Sequence, residues 1–293
     1  ESPTMSVSLM RDYATMALNT IKGKFYAKYA FFDEKMRSRM LLNKMIENDI
    51  VGALEGEQLQ PYIQPKIDME TKEIIGGEAL VRWHHPKRGV VPPGQFLPVL
   101  EKNGLIIDVD VYIWKRVFEF VGKRLSEGKK IVPISINISR CHVFDKTFRK
   151  CLVELAQEYH VPPEYVMLEL TESGFLENEE AMYDNMKYLR DYGFHLSMDD
   201  FGTGYSTMTM LKNQPVDEIK IDRGFIVDIE NAKSKSIVRH TIDMLHELNM
   251  KIIVEGVEEK VQQDFLLQCG CSSAQGFLYY KPMPVAEFEQ LLN

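Results

Sequence analysis

From Gln58 onward, short apolar runs alternate with stretches in which apolar residues recur every three or four positions, the pattern of strands separated by amphipathic helices. The runs predict strands at 58–68, 74–83, 131–138, 165–170, 194–200, 217–222, 251–255 and 273–277. The spacing between them predicts helices at about 94–102, 108–126, 145–159, 178–191, 205–211, 233–248, 259–268 and 284–292. Strands and helices alternating over residues 58–293 suit a (β/α)8 barrel, typically about 250 residues long. A doubly wound sheet suits them less, because no Gly-rich turn follows the first strand. Only Glu70, Thr71 and Lys72 separate the first two strands, too few for a crossover helix, so that pair is expected to be antiparallel. Pro65 and Pro133 fall inside predicted strands, where a missing N–H limits pairing. The fold class is therefore α/β, a modified TIM barrel.

Two helical runs precede the barrel. Residues 8–30 carry Met10, Ala14, Ala17, Leu18 and Ile21 at helical spacing, and Asp33 to Leu54 carry Met40, Leu41, Met45, Ile46 and Ile50. Within 114–124, Trp114, Val117, Phe118 and Val121 share a face expected to pack inward, and Met198, Met208, Met210 and Met244 read as core filler.

Composition narrows the function. The 293 residues are 45% hydrophobic and 27% charged with a formal charge of −8, ordinary for a globular chain and wrong for one that coats long nucleic acids by neutralising phosphates. No stretch approaches the roughly 20 apolar residues of a membrane helix. Four cysteines, with a Cys269-Gly270-Cys271 spacing, make neither a disulfide framework nor a zinc site, and read as free thiols of a reducing cytoplasm. This region is expected in the cytoplasm, with any membrane anchor or sensor domain upstream of Glu1.

The charges lie where a barrel would use them. Glu78 and Arg82, Asn137, Glu169 with Glu172, Asp199 with Asp200, Lys220 with Asp222, Glu255 and Gln275 all sit near C-terminal strand ends, which converge on one face of a barrel. Glu78, Leu80 and Arg82 share one side by period-two counting; Asp199 and Asp200, being neighbours, serve one site only if the strand ends between them, which Gly202 and Gly204 just after would allow. Any single acidic residue could be a cap or solvated. Five carboxylates at one rim repel each other severely unless a cation or protons offset them. An oxygen-rich set without His or Cys suits Mg²⁺ or Mn²⁺. With Lys220 and Arg82 nearby, this points to phosphoryl transfer or phosphodiester hydrolysis, while a metal-assisted aldolase or enolisation enzyme stays open. Residues 200–206 read as a loop over the site, lacking the Gly-x-x-x-x-Gly-Lys of a triphosphate cradle.

Read as a pattern, Glu78-Ala79-Leu80-Val81-Arg82-Trp83, Ser135-Ile136-Asn137-Ile138-Ser139, Glu169-Leu170-Thr171-Glu172-Ser173 and Asp199-Asp200-Phe201-Gly202-Thr203-Gly204-Tyr205-Ser206 resemble the EAL family of bacterial cyclic-di-GMP phosphodiesterases. Pro215 to Arg223, Glu255-Gly256-Val257-Glu258 and Gln275-Gly276-Phe277 match in the same order. The resemblance implies hydrolysis of cyclic di-GMP to linear 5′-pGpG with two Mg²⁺ or Mn²⁺ ions per site. It implies that Glu78, Asn137, Glu169 and Asp199 hold one ion and that Asp199 bridges to a second with Asp200. It further implies that Lys220 contacts the attacking water and Glu255 helps position it, with Glu78 counted among the catalytic groups. Gln64, Leu80, Arg82 and Gln275 would line the substrate, Glu172 would anchor the loop after the fifth strand, and Glu258 would support the Glu255 end. A homodimer is implied too. Departures from the family pattern are peripheral: Gly224, Thr207-Met208, and Lys66, expected on a strand face toward the ligand or a dimer partner. None removes a metal ligand, so an enzyme is expected over a catalytically silent cyclic-di-GMP receptor that signals through protein partners. Residues 1–32 resemble the closing helix of a GGDEF-type domain, 33–57 a helical connector, and 58–293 the EAL-type barrel.

Overall fold

The computed structural model describes residues 6–22, 27–142, 145–177, 179–203, 211–212 and 214–293. Its centre is a closed ring of eight strands: β1 (Leu59–Asp68), β2 (Ile74–His85), β4 (Ile134–Asn137), β5 (Val166–Thr171), β6 (His195–Phe201), β7 (Glu218–Ile221), β8 (Lys251–Glu255) and β9 (Ser273–Gln275), which returns to β1. Each neighbouring pair is parallel except those of β1, which runs antiparallel to both β2 and β9. The reversal is made by the short link foreseen in the sequence. Asp68 Oδ1 accepts from the N–H groups of Glu70 and Thr71 at 3.0 and 2.8 Å, and Lys72 takes φ 64°. Pro65 lies in the stretch of β1 between its pairings with β9 and with β10 (Met283–Pro284), where the ladder on that side is already interrupted.

Helices cover the outside of the ring at Pro93–Asn103, Ile106–Ser126, Thr147–Glu158, Glu179–Tyr192, Ala232–Glu247, Lys260–Gln268 and Val285–Leu292, close to the expected spans. The expected helix at 205–211 falls, but for Leu211, outside the described residues, as do Met208 and Met210. Alternate strand residues face these helices and are apolar: Ile134, Ile136, Leu168, Leu170, Leu196, Met198, Ile219, Ile221 and Val254 are all buried. Trp114, Val117, Phe118 and Val121 join them from Ile106–Ser126 as the spacing predicts, each such side chain contributing about 1.5–3 kcal/mol.

Several elements differ from expectation: β4 takes only 134–137 of the expected 131–138, leaving Pro133 outside the strand, and β9 stops at Gln275. The helical run over 8–30 ends at Ile21, where Lys22 turns extended (φ −60°, ψ 124°) ahead of Gly23. β2 runs two residues further and folds back on β3 (Gly89–Val91) through a turn with Gly89 at φ 70°. A short helix, Glu172–Glu177, opens directly at the end of β5. The helix Glu34–Glu55 starts where expected, its first turn capped by Asp33 Oδ1 accepting from Met36 N–H at 2.7 Å. No described helix is long and apolar enough to cross a membrane.

Candidate metal and active site

The inner face of the ring carries most of the buried polar side chains, among apolar ones such as Met167 and Ile253. Period two puts Ser135 and Asn137 on the lumen side of β4, Ser197 and Asp199 on β6, Glu218 and Lys220 on β7, Ser273 and Gln275 on β9. Register aligns them: Asn137 lies beside Glu169, and Glu255 beside Gln275. Antiparallel pairing sets Gln64 opposite Glu78.

Lys220 occupies the centre of the upper layer with no exposed surface. Its ammonium donates to Glu169 Oε2 at 2.6 Å and Glu78 Oε2 at 3.2 Å, and pairs with Asp199 Oδ1 at 3.1 Å and Glu255 Oε1 at 2.5 Å. Asn137 Nδ2 donates to the other oxygen of Glu78 at 3.2 Å. Gln275 Nε2 donates to Glu78 Oε2 at 2.7 Å and to Gln64 Oε1 at 3.1 Å, while Gln275 Oε1 is buried without a protein partner. Carboxylate oxygens of Glu78, Glu169 and Asp199 lie within 4.8 Å of one another, and so do those of Asp199, Asp200 and Glu255. Two acidic clusters able to coordinate a metal thus share Asp199. At such separations each carboxylate pair repels by roughly 3–4 kcal/mol even in a medium of moderate polarity. The donors are all oxygen, which fits a hard divalent cation.

Neighbouring residues Asp199 and Asp200 reach one site because the ladder slips. Met198 pairs with Ile219 but Phe201 with Ile221, so β6 spends one extra residue, and Asp200 sits at φ 55°. This is a β-bulge with its strained residue at the site. The expectation that the strand must end between the two aspartates is corrected: β6 continues to Phe201, and the slip inside it turns both toward one site. Asp200 N–H closes the bulge by donating to Asp199 Oδ1 at 2.8 Å.

The electrostatics follow from burial against a single ammonium. Burial pushes the Glu78 and Asp199 carboxyls up against the pull of Lys220, and nearby carboxylates add to the push. Glu255 is driven to about 8 by burial, which outweighs the Lys220 attraction, with Asp199 and Glu78 adding to the push. Burial raises Asp200 likewise, helped by Asp222. Glu169 goes the other way: burial opposes ionisation, yet Lys220 and Lys66 together hold it at about 2. Burial would strip the Lys220 proton, but four carboxylates keep it well above the ordinary lysine range.

The remaining expected residues border the same rim. Leu80 and Glu78 lie on the lining of two cavities that straddle the carboxylates, of about 590 and 250 Å³. Gln64, Arg223, Glu255, Glu258, Gln275 and Phe277 face the smaller one. Arg82 is half-buried, donates to Val81 O at 2.9 Å and lies 5.7 Å over the Tyr62 ring, and burial lowers its pKa. Glu172 Oε2 accepts from Gly202 N–H at 2.9 Å, joining the end of β5 to the turn after β6. The Glu258 side chain lies 4.0 Å from Arg223, and its N–H donates to Gln262 Oε1 at 2.8 Å beneath the Glu255 end.

Two groups of residues went unread in the sequence. Lys66, expected on a strand face exposed toward the ligand or a dimer partner, is 4% exposed inside the ring, where it meets Ser135, Glu169 and Glu218. Counting two from Gln64, and two back from Lys220 to Glu218, would have placed both one layer below the site. Trp114 Nε1 donates to Asn137 O at 3.0 Å, and Asp110 Oδ2 accepts from Ser139 N–H at 3.1 Å, so the helix Ile106–Ser126 grips the end of β4. No one-dimensional spacing encodes that contact.

Comparison with known proteins agrees with this geometry. Residues 47–282 match the model of the EAL domain. The chain is 35% identical over 284 residues to the bifunctional diguanylate cyclase/cyclic di-GMP phosphodiesterase MucR of Pseudomonas aeruginosa, covering 94% of this chain and 41% of that protein. It is 34% identical over 286 residues to the cyclic di-GMP phosphodiesterase PdeR of Escherichia coli, covering 97% of this chain and 43% of that protein. The chain therefore spans about two fifths of the length of these relatives. Among solved structures, the PaMucR phosphodiesterase in complex with c-di-GMP superposes with a TM-score of 0.79 at 36% identity, over 83% of this chain and 99% of that one. A barrel with a reversed first strand, acidic clusters at its C-terminal rim and a family match across most of its length together show that this chain belongs to the EAL domain family.

Proposed function

We propose that the chain is a metal-dependent phosphodiesterase that opens one phosphodiester of cyclic di-GMP to give linear 5′-pGpG. The observation that carries this reading is the pair of carboxylate clusters sharing Asp199 around buried Lys220, in a barrel whose relatives are named cyclic di-GMP phosphodiesterases. Glu78, Asn137, Glu169 and Asp199 would hold one Mg²⁺ or Mn²⁺, and Asp199 with Asp200 a second. Such ions, when bound, neutralise phosphate charge and make a coordinated water more acidic. Lys220 orients the attacking water from below by donating a hydrogen bond, and Glu255 completes that orientation. The water oxygen joins phosphorus, the bond to the sugar 3′ oxygen breaks, and that oxygen takes up a proton. The Arg82 guanidinium clamps a non-bridging phosphate oxygen, the use for which a planar charged fork is suited. Gln64, Leu80 and Gln275 line the substrate, the unpartnered Gln275 Oε1 supplying an acceptor. Glu172 steadies the segment after β6, and Glu258 the turn after β8.

The same reading assigns residues 1–32 to the end of a GGDEF-type domain and 33–57 to a connector, joined to the barrel at 58–293 and working as a homodimer in the cytoplasm. Supporting it, the alignment to the bifunctional MucR covers 94% of the chain and so reaches beyond the barrel. Chromatography of cyclic di-GMP incubated with the purified protein and Mn²⁺ tests the central claim: a linear dinucleotide is expected. Tight binding with unchanged nucleotide after hours would make the chain a receptor instead.

A further inference from the structure

Glu169 differs from the other carboxylates of the site in how its two oxygens are used. Oε2 faces the upper layer and accepts from Lys220, while Oε1 points down the lumen to Lys66 Nζ at 2.7 Å. The Lys66 ammonium also donates to Ser135 Oγ at 2.7 Å and lies at the longer distance of 3.5 Å from Glu218 Oε1. Glu218 Oε1 accepts from Ser197 Oγ at 3.0 Å and so has a partner of its own. The short contacts of Lys66 are thus to Glu169 and Ser135, not to the carboxylate on its own level. Its stem passes Gly76, where a Cβ would lie 3.4 Å from Lys66 Cδ.

We propose that Lys66 is a positioning residue for the metal site: by pinning Oε1 of Glu169 from the layer beneath, it fixes the carboxylate with Oε2 alone turned to the rim. The proposal rests on the metal-dependent reading above and concerns the orientation of one ligand. Groups one shell out from a metal ligand commonly change its affinity by about 10–100-fold. Without Lys66, Glu169 is held at Oε2 by Lys220 alone, and its lower oxygen loses its ammonium partner in a buried site.

Calorimetric titration with Mn²⁺, alongside thermal melting, separates this role from plain charge neutralisation. Four proteins are compared: wild type, Lys66→Met, Glu218→Gln and the double variant Lys66→Met/Glu218→Gln. The double variant removes one charge of each sign, a change buried ion pairs often tolerate. Lys66→Met is expected to weaken Mn²⁺ binding about tenfold or more, and the double variant to regain the melting temperature while Mn²⁺ binding stays weak. Should Lys66→Met be too unstable to titrate, the double variant alone decides. Mn²⁺ affinity at the wild-type level in either variant overturns the proposal, since Lys66 would then serve only to balance Glu218. A wild type that binds Mn²⁺ and hydrolyses cyclic di-GMP beside an unaffected Lys66→Met sinks this inference alone. A wild type that does neither sinks the functional reading, and this inference with it.

Discussion

The lumen of the barrel holds two polar layers built by the same strands, and they obey different rules. In the lower one, a single lysine, Lys66, lies 3.5 Å from the glutamate of its own level, Glu218, and reaches up at 2.7 Å to Glu169, with Ser135 and Ser197 closing the hydrogen bonds. In the upper one, Glu78, Glu169, Asp199 and Glu255 all converge on Lys220, with Asp200 just outside. A balanced, saturated pair of buried ions is a structural solution, because each charge finds its counter-charge and each proton an acceptor. An excess of carboxylates around one ammonium is not; it leaves negative charge in a place where water cannot screen it. The same residue types two positions apart therefore do different work, support below and an excess of negative charge above, and that excess suits a hard divalent cation.

The most severe way to break the contrast is to remove a ligand from the upper layer. Glu78→Ala takes away the acceptor shared by Asn137, Lys220 and Gln275. Turnover of cyclic di-GMP is expected to fall by orders of magnitude while the circular dichroism spectrum keeps its α/β form. Lys220→Met comes next. It strands four carboxylates without their ammonium, so the chelated protein should lose about 3–5 kcal/mol in a denaturant melt. Mn²⁺ should recover a large part of that stability but none of the turnover. Recovery of turnover would remove Lys220 from the mechanism.

The contrast is sharpened by pH. Glu255 rises from the ordinary 4.5 to about 8 on folding, so the folded chain binds a proton that the unfolded chain releases. Stability from that group is complete below 4.5 and is lost as pH climbs through about 8. Glu78 and Asp199, shifted the same way, add to the decline. Glu169, held at about 2, works in the opposite sense, and its contribution disappears only as pH drops below 4.5. Metal-free protein is expected to melt at steadily lower temperature between about pH 5 and 8, and the stabilisation by Mn²⁺ to grow across the same window as ions replace protons. A melting temperature that rises with pH in chelator would contradict the charge imbalance. The mildest change lies outside the lumen. Trp114→Phe removes the donor to Asn137 O but keeps the ring, and should cost about 0.5–1.5 kcal/mol of stability with a few-fold loss of Mn²⁺ affinity by calorimetry.

Much of this was legible along the chain. The alternation of strand and helix spacing gave the ring, the three residues Glu70–Lys72 gave its reversed first strand, and polar residues at strand ends gave the upper layer. What escaped depends on partners rather than on neighbours. The slip at Asp199–Asp200 is a property of how β6 pairs with β7, and an isolated strand does not record its register. Lys66 reads as a lysine facing ligand or a dimer partner until Ser135 and Glu169 close around it. The β2–β3 turn lay in a His84–Gly89 stretch whose flanking strand is too short to show a period.

The backward run of β1 has one last consequence, for the life history of the molecule. Gln64 and Gln275 touch across 211 positions of chain, the first near the start of the barrel and the second near its finish. Joining such distant segments is the entropically slow part of assembling a domain. A nascent chain still waiting for Ser273 already possesses every acidic group of the rim but not the stave that draws them into a circle. Under the metal-dependent reading, the acidic rim is complete only once β9 has closed the ring between β8 and β1.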